Sequence, residues 1–468
     1  MKLYNTLTRK IEPIKPISPP QLGIYTCGPT VYDYAHIGHW FNYVRMDMLV
    51  RTLKLTGAPT TWVMNITDVG HLVSDADDGE DKLQKGARRE GKTAWEVAQI
   101  YTEDFLDGMR QLNITTPDYI VKATDHIAEQ IELVKQLEQK DYTYVIDDGV
   151  YYDTSKFEGY AAFARLDLDE QQAGARVAFN QQKRNPTDFA LWKFSPKEQQ
   201  RDMEWDSPWG KGFPGWHIEC SAMSMKYLGE TLDIHTGGID HIQVHHTNEI
   251  AQSEAVTGKR FANYWMHSNH ATVNGEKISK SLGNGIRLTH IAEKGISADV
   301  LRLHILESHY RSQSKFSWES LDAAKNRLQA YQAMADLRWQ PLADNASFKS
   351  APDYVNFTQK ITDVLADDLD TPRALAILSL VEGGTPQLPA DSQIFAEFTD
   401  FLGFIDKALG LQLLASSDIT DDQKALIAQR QQARASKDWA ASDGFRDQLI
   451  EQGIGLRDTP QGAIWFRI

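Results

Sequence analysis

The sequence predicts an α/β fold with a parallel sheet, interrupted by an insertion and followed by a helical half. Two short apolar runs, Leu22–Thr26 and Thr60–Ile66, are typical of strands, and the segment 40–55 between them is typical of a helix. Strand, helix and strand at this spacing indicate a parallel α/β unit. The same alternation resumes near Gly215, whereas beyond residue 318 only helical spacing remains.

The elements after the first α/β unit are predicted in chain order. The charged stretch Ser74–Lys92 is predicted to be an exposed loop, and the apolar residues from Trp95 to Leu112 then recur at helical spacing. Within the insertion, Asp148-Gly149 between two apolar runs predicts a β-hairpin. Where the alternation resumes, Leu232–His235 is predicted as a strand and 241–255 as a helix.

The helical half contains several separate periodic segments. After the helix that starts at Trp318, we expect helices at 354–366, 371–382 and 394–409. The last segment, 421–468, is predicted to hold two helices that carry basic residues, namely Arg430, Arg434, Lys437 and Arg446.

Length, composition and charge bound the functional class. A chain of 468 residues is too long for one ordinary domain, so three or four are expected. The N-terminus lacks a secretory pattern and no run of 18 apolar residues occurs, so we expect a cytoplasmic protein that does not enter the membrane. The net charge of −15 argues mildly against a nucleic-acid partner, but one basic face on an acidic body remains compatible with it.

The first chemical motif is His36-Ile37-Gly38-His39, which follows the first predicted strand. A helix that opens behind a strand can hold a phosphate at its N-terminal amides, and two imidazoles there can stabilise negative charge. The alternative is a pair of surface histidines at a helix start.

The second motif is the KISKS segment, Lys277-Ile278-Ser279-Lys280-Ser281, preceded by Gly275. Its two lysines, Lys277 and Lys280, lie on a glycine-flanked loop that can fold over a triphosphate and neutralise its oxygens. A merely solvated lysine loop is the alternative, and the upstream histidine motif counts against it.

The third group of residues is a candidate metal centre. The only two cysteines, Cys27 and Cys220, are far apart, while His245 and Glu249 are spaced i, i+4 and so share one face of a helix. Two thiolates, an imidazole and a carboxylate form a plausible zinc set. Two buried thiols without a metal are the alternative, and His241 or His246 can compete with His245 by spacing, so the choice stays open here.

These motifs carry a resemblance. The histidine motif followed by the KISKS segment resembles the two signature motifs of the class I aminoacyl-tRNA synthetases, which flank a Rossmann-like fold in that family. YTCGPTVYDYAHIGH (25–39), GWHIECSAMS (215–224) and HHTNEIAQS (245–253) are similar to the cysteinyl-tRNA synthetase family in particular. Gln172–Val177, Lys183–Lys193 and the tail from Lys437 match it as well. The chain departs from the family at Trp40 and Phe41, where a small residue and an arginine are usual.

The resemblance implies a set of domains. A Rossmann-like catalytic domain is expected at 1–117 and 206–270, with a connective insertion at 118–205. The region 271–317 is expected to carry the KISKS loop and contact the tRNA stem. A helical bundle at 318–415 and a small anticodon-binding domain at 416–468 complete the expected order.

The resemblance also implies roles for individual residues. His36 and His39 stabilise the transition state at the α-phosphate of ATP, and Lys277 and Lys280 hold the leaving pyrophosphate. The implied zinc ligands are Cys27, Cys220, His245 and Glu249, and the implied pocket residues are Thr67, Trp216, His235 and, for the ribose, Asp240. For these four pocket residues, ordinary packing or a turn cap is the alternative.

The implied cofactors are one Zn²⁺ per chain and Mg²⁺ with ATP, and the implied partners of a monomeric enzyme are L-cysteine and tRNA(Cys). Zinc binds a thiolate well and a serine hydroxyl poorly, so it selects cysteine without an editing step. A small-molecule cysteine ligase of the mycothiol type is a second hypothesis, but it has little use for residues 318–468. A non-catalytic tRNA-binding paralogue is a third, against which the intact histidines and lysines count.

Overall fold

The structure is a computed structural model that describes residues 1–70, 81–165, 180–196, 201–278, 282–342, 350–460 and 462–468. The chain divides into two compact units. The first, called the α/β unit, contains Met1–His290 and Tyr310–Ser314, and the second, called the helical unit, contains Ile291–His309 and Lys315–Ile468. In the part of the chain described, no helix has the length and apolar character needed to cross a membrane.

The strands of the α/β unit are β1 (Lys2–Asn5), β2 (Lys10–Pro13), β3 (Leu22–Thr26), β4 (Thr60–Ile66), β5 (Tyr119–Lys122), β6 (Thr143–Ile146), β7 (Gly149–Tyr152), β8 (Phe189–Phe194), β9 (Gly212–Pro214), β10 (Leu232–Gly238), β11 (Ala262–Ser268), β12 (Ala271–Val273) and β13 (Glu276–Lys277). Its helices are α1 (Ile37–Leu55), α2 (Lys82–Glu90), α3 (Ala94–Gln111), α4 (Ile127–Gln139), α5 (Trp216–Leu228) and α6 (His245–Thr257). Two short elements, α7 (Leu288–Ala292) and β14 (Ser314–Phe316), contain residues of both units.

A five-stranded parallel sheet in the order β11-β10-β3-β4-β5 is the frame of the α/β unit. From β3 the chain proceeds outward to β4 and β5, whereas from β10 it proceeds to β11 on the opposite side. The strand order therefore reverses between β3 and β10. In parallel sheets a ligand crevice lies outside the carboxyl ends of the strands at such a reversal. The predicted parallel sheet is confirmed, and its topology locates the candidate site.

The insertion forms a four-stranded antiparallel sheet in the order β6-β7-β8-β9. The predicted hairpin is present, but its turn lies one residue earlier, because Ile146 pairs with Gly149 and leaves Asp147 and Asp148 as the loop. Gly149 is instead needed inside the sheet: a Cβ atom there would lie 2.4 Å from the carbonyl oxygen of Trp192.

One expected loop contains a helix. Part of the charged stretch, 74–80, lies outside the described residues, but 82–90 forms α2. The Asp81 side chain accepts hydrogen bonds from the amides of Leu83 and Gln84, and Gly91 ends the helix at φ 63°. Leu83 and Ala87 are buried on one face. The prediction of an exposed loop here is wrong because a cap and two buried residues are enough to hold a short, highly charged helix.

The helical unit contains α8 (Ala298–Leu306), α9 (Trp318–Ala335), α10 (Tyr354–Ala366), α11 (Thr371–Gly384), α12 (Gln393–Leu409), α13 (Asp421–Ala435) and α14 (Trp439–Glu451), followed by the hairpin strands β15 (Ile454–Thr459) and β16 (Gly462–Arg467). The two predicted terminal helices are therefore present. Arg430 of α13 is linked to β15 by two hydrogen bonds, of 2.8 and 3.0 Å, to the carboxylate of Asp458.

Gly28 tests the close packing of the backbone between the ends of β3 and β4. Its amide donates to the Asn65 side chain at 2.8 Å, and a Cβ atom at this position would lie only 1.5 Å from the backbone oxygen of Asn65. Because backbone cannot rotate away, Gly28→Ala is expected to lower the free energy of unfolding by about 3 kcal/mol. Urea denaturation measures it. Gly444→Ala is the control, since a Cβ there meets nothing within 4 Å and alanine favours a helix, so that variant should lose no stability.

Candidate active site

A cavity of about 440 Å³ opens at the carboxyl ends of the parallel strands. The residues that follow β3, β4, β10 and β11 contribute to its walls, together with the start of α1 and of α5. The residues that line it include Cys27, Gly28, His36, His39, Asn42, Thr67, Trp216, Cys220, Asp240, His245, Ser268, Asn269, His270, Ala271, Lys277 and Ile278. Residues from all three sequence motifs therefore line one cavity.

The histidine motif forms the N-terminus of α1. His36 is the N-cap, and its ring Nδ1 accepts from the Gly38 amide at 3.1 Å. In return, His39 Nδ1 accepts from the His36 amide at 3.1 Å, so the two rings cap the helix reciprocally with centroids 4.0 Å apart. The helix begins at Ile37 rather than at the predicted residue 40. A helix N-terminus with two imidazoles at the cavity wall favours an anion there.

Lys277 stands at the end of a tight hairpin. Strands β12 and β13 pair Thr272 with Lys277, and the loop between them is Asn274-Gly275, both with positive φ (51° and 85°). This Asn-Gly turn matches the twist of a two-stranded hairpin, so it holds the lysine in a defined place. Lys277 and Ile278 line the cavity. The second predicted lysine, Lys280, lies outside the described residues.

The candidate metal ligands converge beside the cavity. One donor atom each from Cys27, Cys220, His245 and Glu249 lies within 4.8 Å of the others, and all four residues are buried. Cys27 follows β3, Cys220 lies on α5, and α6 supplies the other two, with His245 Nε2 3.0 Å from Glu249 Oε1. This donor set, two sulfurs, one nitrogen and one oxygen, fits the ligand preference of zinc.

A second set overlaps the first. Cys27, His235, His246 and Glu249 also bring their donor atoms within 4.8 Å of one another. His246 Nε2 is 3.3 Å from the Cys27 sulfur, and His235 Nε2 is 2.8 Å from Glu249 Oε2. The two sets share a thiol and a carboxylate, so a single ion fills either one or the other. His245 and His246 are therefore alternative ligands by their positions in the structure as well as by their spacing in the sequence.

The surroundings of the cluster favour the anionic form of two donors, Cys220 and Glu249, and disfavour that of Cys27. Burial raises the pKa of Cys27, and the neighbouring Cys220 thiol raises it further. Burial acts in the same direction on Cys220, but a hydrogen bond with Cys27 and the charge of His245 outweigh it and lower that pKa to about 7. For Glu249, burial raises the pKa, whereas His235 and His245 bring it down to about 2. A thiolate and a carboxylate are the forms that bind a metal.

Histidines that the sequence analysis did not single out surround this cluster. His217 Nδ1 lies 2.9 Å from His245 Nδ1. His267 Nε2 lies 2.8 Å from His246 Nδ1, and its own Nδ1 is 2.7 Å from the hydroxyl of Thr6. These contacts orient both rings that compete for the metal. The density of histidine between 217 and 270 is the sequence signal that points to them.

The four predicted pocket residues differ in position. Thr67, Trp216 and Asp240 line the cavity, and the Trp216 ring lies against His245 with centroids 4.5 Å apart. His235 is fully buried, packs with its ring parallel to that of Trp265, and is not among the lining residues. It therefore reaches the site through Glu249.

The two residues that replace the usual pair after the histidine motif belong to the core. Trp40 stacks on Phe105 with centroids 5.4 Å apart, and Phe41 is 1% exposed. The guanidinium carbon of Arg45, one turn further along α1, lies 5.4 Å from the centre of the Phe41 ring.

Comparison with protein families gives two matches. A family described as the class I (C) tRNA synthetase catalytic domain matches residues 13–326. A second, described as the anticodon-binding domain of cysteinyl-tRNA ligase, matches residues 416–465. The first match contains the cavity and all described candidate ligands.

Curated relatives and solved structures agree with these matches. The chain is 46% identical to cysteine–tRNA ligase 1 of Burkholderia lata, covering 100% of this chain and 97% of that one. It is 43% identical to cysteine–tRNA ligase of Treponema denticola, with 100% of both chains covered. The fold is similar to that of Mycobacterium tuberculosis methionyl-tRNA synthetase bound by methionyl-adenylate, with a TM-score of 0.57, 14% identity, and 83% and 92% of the two chains covered.

Proposed function

The chain belongs to the cysteine–tRNA ligase family of class I aminoacyl-tRNA synthetases, and on this premise we propose a role for each residue of its cavity. A ligase of this family joins cysteine to tRNA at the expense of ATP. The observation that carries the assignment of roles is that one cavity is lined by the helix-capping histidines, by Lys277 and by three of the four metal-ligand candidates, with the fourth, Glu249, within 4.8 Å of those three.

ATP occupies the part of the cavity between α1 and the β12–β13 hairpin. The cysteine carboxylate attacks the α-phosphorus, the bond to the β-phosphate oxygen breaks, and cysteinyl-adenylate and pyrophosphate form. His36 and His39 stabilise the charge that develops on the α-phosphate, while Lys277 and Lys280 hold the pyrophosphate. Mg²⁺ bound with ATP would supply further neutralisation of the phosphate charge. Asp240 accepts hydrogen bonds from the ribose hydroxyls. Catalysis comes from positioning and electrostatics, without a protein nucleophile.

Cysteine is selected at the metal centre. Cys27, Cys220, His245 and Glu249 would hold one Zn²⁺, which would supply a bond that a thiolate makes well and a hydroxyl makes poorly. Thr67 and Trp216 form the walls around the amino acid, and His235 orients Glu249 through its 2.8 Å contact. This set is proposed over the one with His246 because it includes both cysteines, and thiolates bind zinc more strongly than a further imidazole does.

The second step transfers cysteine to the 2′-hydroxyl of the terminal adenosine of tRNA(Cys), releasing AMP. The protein acts as a monomer in the cytoplasm. A small-molecule cysteine ligase is disfavoured, because residues 416–465 match an anticodon-binding domain and such an enzyme does not bind tRNA.

Pyrophosphate exchange on protein assayed for zinc tests the proposal. We expect about one zinc per chain, exchange with cysteine, and a preference over serine of about 10⁴-fold, as for sites built around a group that the competitor lacks. Chelation should remove both zinc and exchange, and added zinc should restore them. Serine activated as well as cysteine would refute selection by the metal, and failure to charge tRNA(Cys) would favour the small-molecule ligase.

A further inference from the structure

Arg45 is a buried arginine on α1. It is 3% exposed. Its Nη1 donates to the hydroxyl of Ser268 at 2.9 Å and to the backbone oxygen of Asn269 at 2.8 Å, and its Nη2 donates to the hydroxyl of Ser314 at 2.5 Å. One guanidinium thus joins three chain segments that are distant in sequence.

One of those segments forms a wall of the cavity. Ser268 is the last residue of β11, and Ser268 and the following residues up to Ala271 line the cavity. The segment that contains Ser314 is bonded to this wall: the Asn269 amide donates to the Tyr310 oxygen at 2.8 Å, and the Ser314 amide donates to the His270 oxygen at 3.0 Å. Arg45 is therefore a side-chain link between α1, this wall and the segment bonded to it.

The same wall leads directly to Lys277. β12 begins at Ala271, and Thr272 pairs with Lys277 across the Asn-Gly hairpin. The Thr272 hydroxyl also donates to the Ser314 backbone oxygen at 3.1 Å. Because the hairpin has only a two-residue loop, a displacement of residues 268–272 is passed on to the lysine rather than absorbed.

Arginine suits this place for a physical reason. Burial lowers the pKa of Arg45 to about 10, so the site disfavours a charged group that lacks hydrogen-bond acceptors. The planar guanidinium offers several donors in a fixed fork, and here they meet two hydroxyls and a carbonyl. Lysine, with one ammonium on a flexible stem, cannot span acceptors in two directions with the same geometry.

We propose that Arg45 is a positioning residue for the ATP half of the reaction, holding the 268–272 wall and, through the β12–β13 hairpin, Lys277 at the distance from the α1 N-terminus that the triphosphate requires. The inference rests on the proposed function, since it assumes that ATP lies between α1 and the hairpin. None of the four proposed zinc ligands lies within residues 268–272, and neither do Thr67 and Trp216, so we expect Arg45 to act on ATP rather than on the amino acid.

Steady-state pyrophosphate exchange on the full chain tests this inference. The Arg45→Met variant keeps a long side chain but loses all hydrogen-bond donors. We expect its kcat/KM for ATP to fall about 100-fold, the loss typical of a catalytic group misplaced by about 1 Å. Its KM for cysteine and its zinc content should stay unchanged. Arg45→Lys should recover only a small part of the activity. Ser314→Ala, which removes one acceptor and leaves the arginine in place, should raise KM for ATP several-fold and covers the case in which Arg45→Met does not fold.

Arg51→Met is the matched control. Arg51 lies on the same helix, its side chain is 12% exposed, and it is anchored by Asp47 at 2.7 Å and the Asn113 backbone, away from the cavity. That variant should lose thermal stability without a change in KM for ATP. The inference would be overturned if the Arg45 and Ser314 variants changed KM for ATP and KM for cysteine equally, or if neither variant changed KM for ATP. The proposed function would stand in both cases. A wild-type protein without cysteine-dependent exchange would overturn both.

Discussion

Cys220→Ser is expected to abolish cysteine activation and zinc retention together. The serine hydroxyl is a poor zinc ligand, so the set formed with Cys27, His245 and Glu249 loses one of its two sulfurs. If selection depends on a metal–thiolate bond, as proposed, exchange with cysteine should fall by at least about 10³-fold, close to the loss expected when a substrate group has no partner left in its site. Zinc per chain by mass spectrometry and exchange rate are measured on the same preparation.

His246→Gln distinguishes the two overlapping ligand sets. If Cys220 and His245 hold the ion, this variant keeps zinc at about one per chain. Should the set with His235 and His246 hold it, the outcome reverses, and Cys220→Ser retains zinc while His246→Gln loses it. Ser224→Ala is a control on the same helix as Cys220: the Ser224 hydroxyl donates a hydrogen bond to the Ser221 backbone oxygen, and Ser224 belongs to neither ligand set, so both readouts should stay unchanged. Retention of zinc and exchange in Cys220→Ser would contradict the assignment.

The parallel sheet was predictable because its strands are short apolar runs separated by helical stretches. The order of the strands was not, since Ile24 of β3 pairs with Ile234 of β10 and no local pattern encodes a pairing at that separation. That pairing creates the reversal at which the cavity opens. The chemistry of the site was therefore visible in the motifs, whereas its location came from long-range topology.

The metal centre shows the same division. Spacing on one helix was enough to bring His245 and Glu249 together, but their grouping with Cys27 and Cys220 depended on donor chemistry and on the resemblance, because the two cysteines lie on distant segments. Spacing did not separate His245 from His246, and the fold does not do so either, because α6 presents both rings to the same buried cluster. Arg45 was missed altogether, since an arginine within a helix normally indicates a solvated face, and its burial depends on the remote residues that accept its hydrogen bonds.

Lys277→Met is expected to lower kcat for pyrophosphate exchange by 10² to 10³-fold, which corresponds to roughly 3–4 kcal/mol of transition-state stabilisation. In the proposed mechanism the Lys277 ammonium neutralises charge that grows on the leaving pyrophosphate, so its contribution is larger in the transition state than in the bound substrate. For that reason kcat and kcat/KM for ATP should fall together. Zinc content and KM for cysteine should not change, because Lys277 belongs to the hairpin and not to the metal centre.

The control for Lys277→Met is Lys259→Met. Lys259 is an exposed lysine paired with Glu230 near the amino ends of β10 and β11, at the edge of the sheet opposite the cavity, so its loss should leave exchange unchanged. An undiminished kcat in Lys277→Met would assign the pyrophosphate to Lys280 alone and remove the reason why the hairpin has to be held rigidly. If kcat falls in Lys277→Met but kcat/KM for ATP is unchanged in Arg45→Met, Lys277 contacts the triphosphate without needing the support of residues 268–272.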